Sequence, residues 1–320
     1  MTTSLHLPSL RALKWFGWKD NRRIMKKIIK NLLKGKRAIL LAHNYQPPEI
    51  QDMADLCGDS LELSIKASRT DADIIVFCGV HFMAETASIL SPDKTVLLPR
   101  MSAGCPMADM ITAESLSEKL AELGNMPVVT YINSPASVKA LSTVCCTSAN
   151  VLNVVNSLDA PEILITPDRN LARYAASQTA KTVHVWDGCC PIHDRLALPD
   201  LMAAKQFHPE AVVMIHPECR KEVLDMADVI LSTSGMISYA RSSIHQSFIV
   251  GTETGIMYAL QTACPDKQFY PASVNMVCRD MKKISLEDII VSLETLGGQV
   301  KVPETIRIPA LQAVQRMIEL

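Results

Sequence analysis

The chain has 320 residues, with 32 Lys and Arg against 33 Asp and Glu, and a formal net charge of −1. This balance provides no overall field that would attract nucleic acid or a membrane surface, and it favours small-molecule chemistry. No run reaches the roughly 18 apolar residues of a membrane span, and the amino end lacks a secretory signal pattern. We therefore expect a cytoplasmic protein of two or three domains.

The first element along the chain is a basic segment between Arg11 and Arg37. Its apolar residues recur at the spacing of one helical face, at Ile24, Ile28, Ile29, Leu32 and Leu33. The pattern favours a solvated helix that covers one domain, and a membrane-surface or targeting helix is the alternative.

Three apolar runs, at 38–45, 127–134 and 211–218, open three segments that resemble one another. Each run ends at a polar or aromatic marker, and a hydroxyl residue follows that marker after the same interval of 17 residues in all three segments. The markers are His43, Tyr131 and His216, and the hydroxyl residues are Ser60, Ser148 and Thr233. Equal intervals in three places indicate an internal repeat.

Each segment continues with a second apolar strand, a helix, a third strand and a loop that ends on a cysteine. These cysteines, Cys105, Cys190 and Cys278, lie 85 and 88 residues apart, so the repeat unit has about 85 residues. Within a unit, short β-branched strands that are apolar on both faces alternate with helical segments. This alternation is typical of a parallel sheet covered by helices.

We therefore expect an α/β protein with three similar parallel-sheet domains of three layers, related by a pseudo-threefold axis around a central cluster. The predicted boundaries are an N-terminal helical segment over 1–36, repeats over 37–125, 126–210 and 211–300, and a C-terminal tail over 301–320 that packs on the domains.

Ten cysteines without CxxC pairs are unlike a small secreted disulfide scaffold, and reduced thiols that bind a metal are expected instead. A threefold arrangement would bring Cys105, Cys190 and Cys278 to one point. Three thiolates suit a [4Fe–4S] cluster with one open iron, or a Cys₃ zinc site; three buried apolar cysteines are the alternative without a metal. Cys189 is a second candidate beside Cys190, which is preferred because Cys-Pro-Ile-His there is similar to Cys105-Pro-Met.

Polar residues at the carboxyl ends of parallel strands are candidates for binding and catalysis. Ser60, Ser148 and Thr233 each precede a helical pattern, so their hydroxyls and the nearby backbone N–H groups are expected to bind an anionic substrate; simple helix capping is the alternative. Histidines titrate near neutrality, and Glu218 is the one carboxylate at these strand ends, which makes it the general-base candidate. The histidines concerned are His43, His193 and His216.

Several motifs together resemble those of the quinolinate synthase family, from about residue 20 to 285. They include AHNYQPPEIQDMADLCGDS (42–60), MSAGCPMADM (101–110), VTYINSPASVKA (129–140), GCCPIHDR (188–195), HPEC (216–219), STSGM (232–236), GTETG (251–255) and CRDMKKI (278–284). Some relatives carry a CxxCxxC run that ends in the third ligand, but Ala272 and Asn275 stand at the earlier positions here. Redox control by a disulfide is therefore not expected.

The resemblance implies condensation of iminoaspartate with dihydroxyacetone phosphate to quinolinate, a precursor of NAD, with loss of phosphate and water. It implies a [4Fe–4S] cluster on Cys105, Cys190 and Cys278, and an L-aspartate oxidase as a source of iminoaspartate. It implies no nucleic-acid or membrane partner. The residues that it places around the substrates are His43, Tyr45, Ser60, Tyr131, Asn133, Ser148, His193, Glu218, Ser232 and Thr233. The repeat adds His216 as a further substrate-binding candidate. We expect Tyr45, Glu218 and His193 to be the catalytic residues that move protons.

Two other interpretations of the sequence remain. Another three-cysteine iron–sulfur enzyme of three domains, such as a reductive dehydroxylase or a diphthamide-type enzyme, would need an electron donor. A sensor stabilised by zinc or a cluster would need a recognition surface, but no basic helix or helix-turn-helix pattern supports one. Neither a P-loop nor a dinucleotide-binding fingerprint is present.

Overall fold

The computed structural model describes the backbone from Trp18 to Leu320 and the side chains from Asn21 onward. Twelve strands in this part of the chain form three separate sheets of four parallel strands each. Helices flank each sheet, so the predicted α/β architecture of three similar units is confirmed. Residues 1–17 of the predicted N-terminal helical segment lie outside the described residues.

The first unit follows helix α1 (Trp18–Gly35). Its elements are β1 (Ala38–His43), α2 (Pro48–Gln51), β2 (Leu56–Gly58), α3 (Ser60–Arg69), β3 (Ile74–Cys78), α4 (His81–Leu90) and β4 (Thr95–Leu97). A short 3₁₀ helix (Ala108–Met110) and α5 (Ala113–Leu123) lead to the second unit.

The second unit repeats this order. Its elements are β5 (Val128–Tyr131), α6 (Ala136–Lys139), β6 (Val144–Cys146), α7 (Val151–Ser157), β7 (Glu162–Thr166), α8 (Arg169–Ala176) and β8 (Thr182–Val185). Helix α9 (Leu198–Phe207) then leads to the third unit.

The third unit consists of β9 (Val212–Ile215), α10 (Lys221–Leu224), β10 (Val229–Ile230), α11 (Thr233–Ser242), β11 (Ser247–Gly251), α12 (Ile256–Ala263) and β12 (Gln268–Pro271). A 3₁₀ helix (Asp280–Lys282) and helices α13 (Leu286–Thr295) and α14 (Glu304–Glu319) complete the chain.

Strand order is the same in all three sheets, with the second strand at one edge and the fourth at the other: β2-β1-β3-β4, β6-β5-β7-β8 and β10-β9-β11-β12. The central strands are apolar and buried on both faces, as in β3, where all five residues from Ile74 to Cys78 are buried. The fourth strand of each unit pairs within its own sheet.

The sequence prediction omitted the second strand of each unit. These strands, β2, β6 and β10, are only two or three residues long, too short to give a periodic pattern. Each of these short strands pairs in parallel with the first strand of its unit. The hydroxyl residue 17 positions after the marker therefore lies beside the end of the first strand.

The terminal helices pack against the first two units. Helix α1 contacts β1 and α13, and Ile28, Ile29 and Leu33 on its apolar face are buried. Helix α14 contacts α4 of the first unit and α6 and β6 of the second. Within the described residues, no helix has both the length and the apolar character needed to cross a lipid bilayer.

Candidate active site

Cys105, Cys190 and Cys278, each in the loop after the fourth strand of its unit, line one cavity of about 410 Å³. All three are half-buried. Each sulfur accepts hydrogen bonds from backbone N–H groups two or three residues further along: Met107 and Ala108 for the first, His193 for the second, Asp280 and Met281 for the third. The three units thus bring equivalent thiols, with equivalent N–H donors, to one cavity.

Burial raises the pKa of each of these thiols, that of Cys105 to about 12, because a thiolate loses hydration there. A metal that binds thiolate would therefore have to displace protons from all three groups. Soft thiolate donors that receive N–H hydrogen bonds are the environment in which iron–sulfur clusters are held. The donor set therefore fits a cluster, although this fit alone does not distinguish iron from a Cys₃ zinc ion.

A smaller inner cavity of about 50 Å³ adjoins the first and shares Tyr45, Asn133 and Glu218 with it. Most of the residues predicted around a substrate line this inner cavity, namely His43, Tyr45, Ser60, Tyr131, Asn133, Ser148, His216, Glu218 and Thr233. They come from all three units, since β1, β5 and β9 direct their carboxyl ends to the same place.

Glu218 contacts two stacked imidazoles through one carboxylate oxygen. Its Oε2 is 2.7 Å from Nδ1 of His193 and 3.2 Å from Nδ1 of His216, whose ring centroids are 4.5 Å apart. Burial opposes ionisation of the carboxyl, but the charge and hydrogen bond of His193 outweigh it and lower the Glu218 pKa. Within the described part of the chain, its Oε1 is buried and has no hydrogen-bond partner, and the same holds for Oδ1 of Asn133.

Two acceptors without partners in a cavity are costly unless a ligand supplies donors, so they mark where a bound molecule would place N–H or O–H groups. Liganding atoms of Cys190, His193 and Glu218 also lie within 4.8 Å of one another. The acid–base pair is therefore adjacent to the thiol cavity.

Tyr45 connects to the same histidine through a hydroxyl network. Its Oη is 2.5 Å from Oγ1 of Thr252, which is 2.8 Å from Nε2 of His193. Burial, followed by the Glu218 charge, raises the Tyr45 pKa well above its ordinary value. The phenol therefore stays protonated and can donate.

His43 and His216 are buried as neutral rings. Burial, followed by the charge of Lys282, lowers the His43 pKa to about 3. Burial, followed by the charge of His193, lowers the His216 pKa. The backbone N–H of Tyr45 donates to Nδ1 of His43, which leaves the proton of the neutral ring on Nε2.

The hydroxyl residues are placed less uniformly than the sequence suggested. Ser60 and Thr233 are the first residues of α3 and α11, while Ser148 lies in the turn before α7. Ser148 contacts Nε2 of His216 at 3.2 Å and hydrogen bonds Tyr131. Oγ1 of Thr233 accepts a hydrogen bond from the Asn44 side chain.

Ser232 is the one predicted substrate residue that lines neither cavity. Its Oγ caps α11 by accepting from the Gly235 N–H, and it donates to Oδ2 of Asp59, which in turn caps α3. It therefore joins two helix starts from different units.

Sequence reasoning missed Thr252, Glu253 and Lys282. Glu253 is fully buried, forms an ion pair of 3.0 Å with Lys282, and lines the thiol cavity. Lys282 also donates to the carbonyl of Tyr45. The motif GTETG at the end of the third strand, β11, could have indicated Thr252 and Glu253. The sequence prediction rested on polar groups at the ends of the first strands alone.

Comparisons with known proteins show the family to which the chain belongs. The family model described as "Quinolinate synthetase A protein" matches residues 27–319. The chain is 56% identical over 292 residues to the quinolinate synthase of Geotalea uraniireducens, which covers 91% of this chain and 96% of that protein. It is 49% identical over 292 residues to quinolinate synthase 1 of Methanosarcina acetivorans, which covers 91% of this chain and 96% of the relative. The chain is therefore an enzyme of the quinolinate synthetase A family.

Proposed function

We propose that the chain condenses iminoaspartate with dihydroxyacetone phosphate to quinolinate, with loss of phosphate and water, in the de novo synthesis of NAD. The names of its relatives support the product, and they cover nearly the whole chain. The observation that carries the proposal is the pair of adjoining cavities, one lined by three equivalent thiols and the other by polar groups with unpartnered acceptors.

A [4Fe–4S] cluster would be held by Cys105, Cys190 and Cys278, one thiolate from each unit. Three protein ligands would leave one iron of a cubane without a thiolate. When the cluster is bound, that iron would supply a Lewis acid for a substrate oxygen. The reaction is redox-neutral and needs no electron donor, unlike the reductive enzymes that the sequence also allowed. The family match supports the quinolinate interpretation over that alternative.

Glu218 is the proposed general base. Its lowered pKa keeps the carboxylate ionised, and Oε1 is the oxygen left free to accept a proton because His193 and His216 engage Oε2. His193 holds the other oxygen, Oε2, through Nδ1 at 2.7 Å, which orients the carboxylate for this transfer.

Tyr45 is the proposed proton donor to a leaving hydroxyl. Its phenol is protonated because of burial, and the Thr252 hydroxyl links it to Nε2 of His193. The two sides of the imidazole thus connect the base and the acid. Such a network holds the base and the acid in fixed positions away from bulk water.

The remaining residues of the inner cavity bind the substrates' anionic groups. Ser60 and Thr233 are the first residues of α3 and α11, where their hydroxyls and the helix dipole favour carboxylate or phosphate. Asn133, with Oδ1 unpartnered, would accept from an amine or hydroxyl, and His43 would donate from Nε2. Ser148 and Tyr131 supply hydroxyl donors to the same cavity.

Iminoaspartate hydrolyses in water, so the enzyme depends on a nearby source, for which an L-aspartate oxidase is the proposed supplier. The direct test is anaerobic purification with iron and sulfide analysis, followed by an assay for quinolinate from the two substrates. Quinolinate formation that requires both substrates and the iron-loaded protein supports the proposal. Iron-loaded protein that forms no quinolinate contradicts it.

A further inference from the structure

The three thiol loops are tied to their units by one repeated backbone hydrogen bond. The residue that begins the helix after the third strand, or the residue two positions before that start, donates its N–H to the carbonyl two positions before the cysteine. The pairs are His81 to Ala103 at 2.8 Å, Arg169 to Gly188 at 2.8 Å and Thr254 to Met276 at 2.9 Å. This bond sets each loop's position but leaves the N–H of the cysteine itself without a backbone partner.

In the second and third units a buried carboxylate supplies that partner. Asp168 Oδ2 accepts from the N–H of Cys190 at 2.8 Å, and Glu253 Oε1 accepts from the N–H of Cys278 at 3.0 Å. Both carboxylates stand two residues after the end of the third strand, β7 or β11, and both side chains are fully buried.

The second oxygen of each carboxylate binds the start of the following helix. Asp168 Oδ1 accepts from Leu171 N at 2.7 Å, and Glu253 Oε2 accepts from Gly255 N at 2.7 Å. Each carboxyl group therefore joins a cysteine backbone to a helix start by two hydrogen bonds, which resist rotation better than one.

The first unit lacks this device. Val80 holds the corresponding position, and the nearest substitute is Asp280, which accepts from Gly104 N at 3.2 Å, one residue before Cys105. The difference provides an internal comparison, since the same loop exists with and without a carboxylate on the cysteine N–H.

We propose that Asp168 and Glu253 are positioning residues that fix the backbones of Cys190 and Cys278, so that these two thiolates retain the cluster. The inference rests on the proposed function, because it assumes that a cluster is the ligand. Groups that orient first-shell ligands typically change metal affinity about 10- to 100-fold when they are removed.

The test compares Asp168→Asn and Glu253→Gln with Asp228→Asn. Both test substitutions keep the side-chain shape but turn one acceptor into an NH₂ that cannot accept from the cysteine N–H. Asp228 is the matched control because its carboxylate also accepts a backbone N–H, that of Val213 at 2.8 Å, but at the opposite edge of the third sheet.

The first readout is the anaerobic rate of iron release to a chelator. We expect the two test variants to release iron about tenfold faster than wild type or faster, and Asp228→Asn to release it at the wild-type rate. Equal rates in all four proteins, or an equal acceleration in Asp228→Asn, would overturn the proposal. If Asp168→Asn does not fold, Glu253→Gln decides the question.

The second readout needs no cluster. In cluster-free protein, amide hydrogen exchange at Cys190 should become about tenfold faster or more in Asp168→Asn, while exchange at Cys278 and Cys105 stays unchanged; Glu253→Gln should affect Cys278 alone. Uniform changes at all three amides would mean general loosening and would overturn the assignment. A wild-type chain that binds no iron would contradict the proposed function, whereas this exchange measurement would still test the two carboxylates.

Discussion

Oε2 of Glu218 is hydrogen-bonded to His193 at 2.7 Å, while the other oxygen, Oε1, is buried without a partner among the described residues, in a side chain that lines both cavities. The two atoms of one carboxylate thus have different tasks: one is held by imidazoles and the other is free to react. A carboxylate in this arrangement is ionised and oriented before any substrate binds, which lowers the reorganisation needed for proton transfer.

Replacing Glu218 by Gln should reduce kcat about 10²- to 10⁴-fold, because the amide keeps the shape of the side chain but cannot accept the proton. Iron and sulfide content should not change. The control is Glu222→Gln, which alters an exposed glutamate on the same segment and should leave kcat at the wild-type value. Substantially full turnover by Glu218→Gln would remove it as the base.

Stability should depend on His43 in mildly acidic solution. Burial and Lys282 lower its pKa from 6.5 to about 3, so between these values the unfolded chain binds a proton that the folded protein does not. Stability therefore rises with pH in this window, by about 1.4 kcal/mol per pH unit for this group. The contribution of His43 to stability is complete above pH 6.5 and is lost as the pH falls toward 3.

The melting temperature of the cluster-free protein, measured near pH 7 and near pH 5, checks this expectation. The drop on acidification should be smaller in His43→Asn than in wild type. His245→Asn, which changes an exposed histidine, is the control and should show the wild-type drop. Equal drops in His43→Asn and wild type would mean that His43 is not held neutral by the fold.

Removing the Tyr131 hydroxyl should weaken substrate binding. The phenol lines the inner cavity and hydrogen bonds Ser148, and burial raises its pKa, so it stays a donor. A hydrogen bond to a charged group is worth about 1.5–3 kcal/mol, so KM in Tyr131→Phe should rise about 10- to 100-fold. Steady-state kinetics measure this, with Tyr239→Phe, outside both cavities, as the control. An unchanged KM and kcat would exclude Tyr131 from binding.

Helix α1 should contribute to stability and not to the chemistry. Ile29 is fully buried where α1 packs on the first unit and α13, so Ile29→Ala should cost about 2–5 kcal/mol and lower the melting temperature. Ile308→Ala, at a side chain that is 54% exposed, should change it little. Quinolinate formation per folded molecule should be the same in all three proteins; a selective loss of activity in Ile29→Ala would show a second role for α1.

The repeat was visible in the sequence because its signals are local and periodic. Apolar runs, the constant interval from His43 to Ser60 and its two copies, and a cysteine that closes each unit predict three parallel sheets without any structure. The edge strands β2, β6 and β10 were missed because pairing with a long neighbour, rather than their own pattern, makes them strands.

Some residues that line the cavities could be predicted from the sequence, but their contacts with one another could not. Residues at the ends of first strands, such as His43 and Tyr131, could be listed, because parallel strands bring their ends to one edge. The connections between units could not be predicted, because they join side chains that are more than a hundred residues apart in the sequence, such as Tyr45 and Thr252. The sequence positions of Asp168 and Glu253 likewise do not reveal that they bind cysteine N–H groups.

The most direct test of the central claim is iron and acid-labile sulfide content after anaerobic purification of wild type, Cys278→Ser and Cys57→Ser. Cys57 is also half-buried but lies in a different cavity, so it is the matched thiol. The account predicts about four iron and four sulfide per chain in wild type and Cys57→Ser, and a large loss of both in Cys278→Ser. Undiminished iron and sulfide in Cys278→Ser, or zinc in place of iron in the wild type, would contradict it.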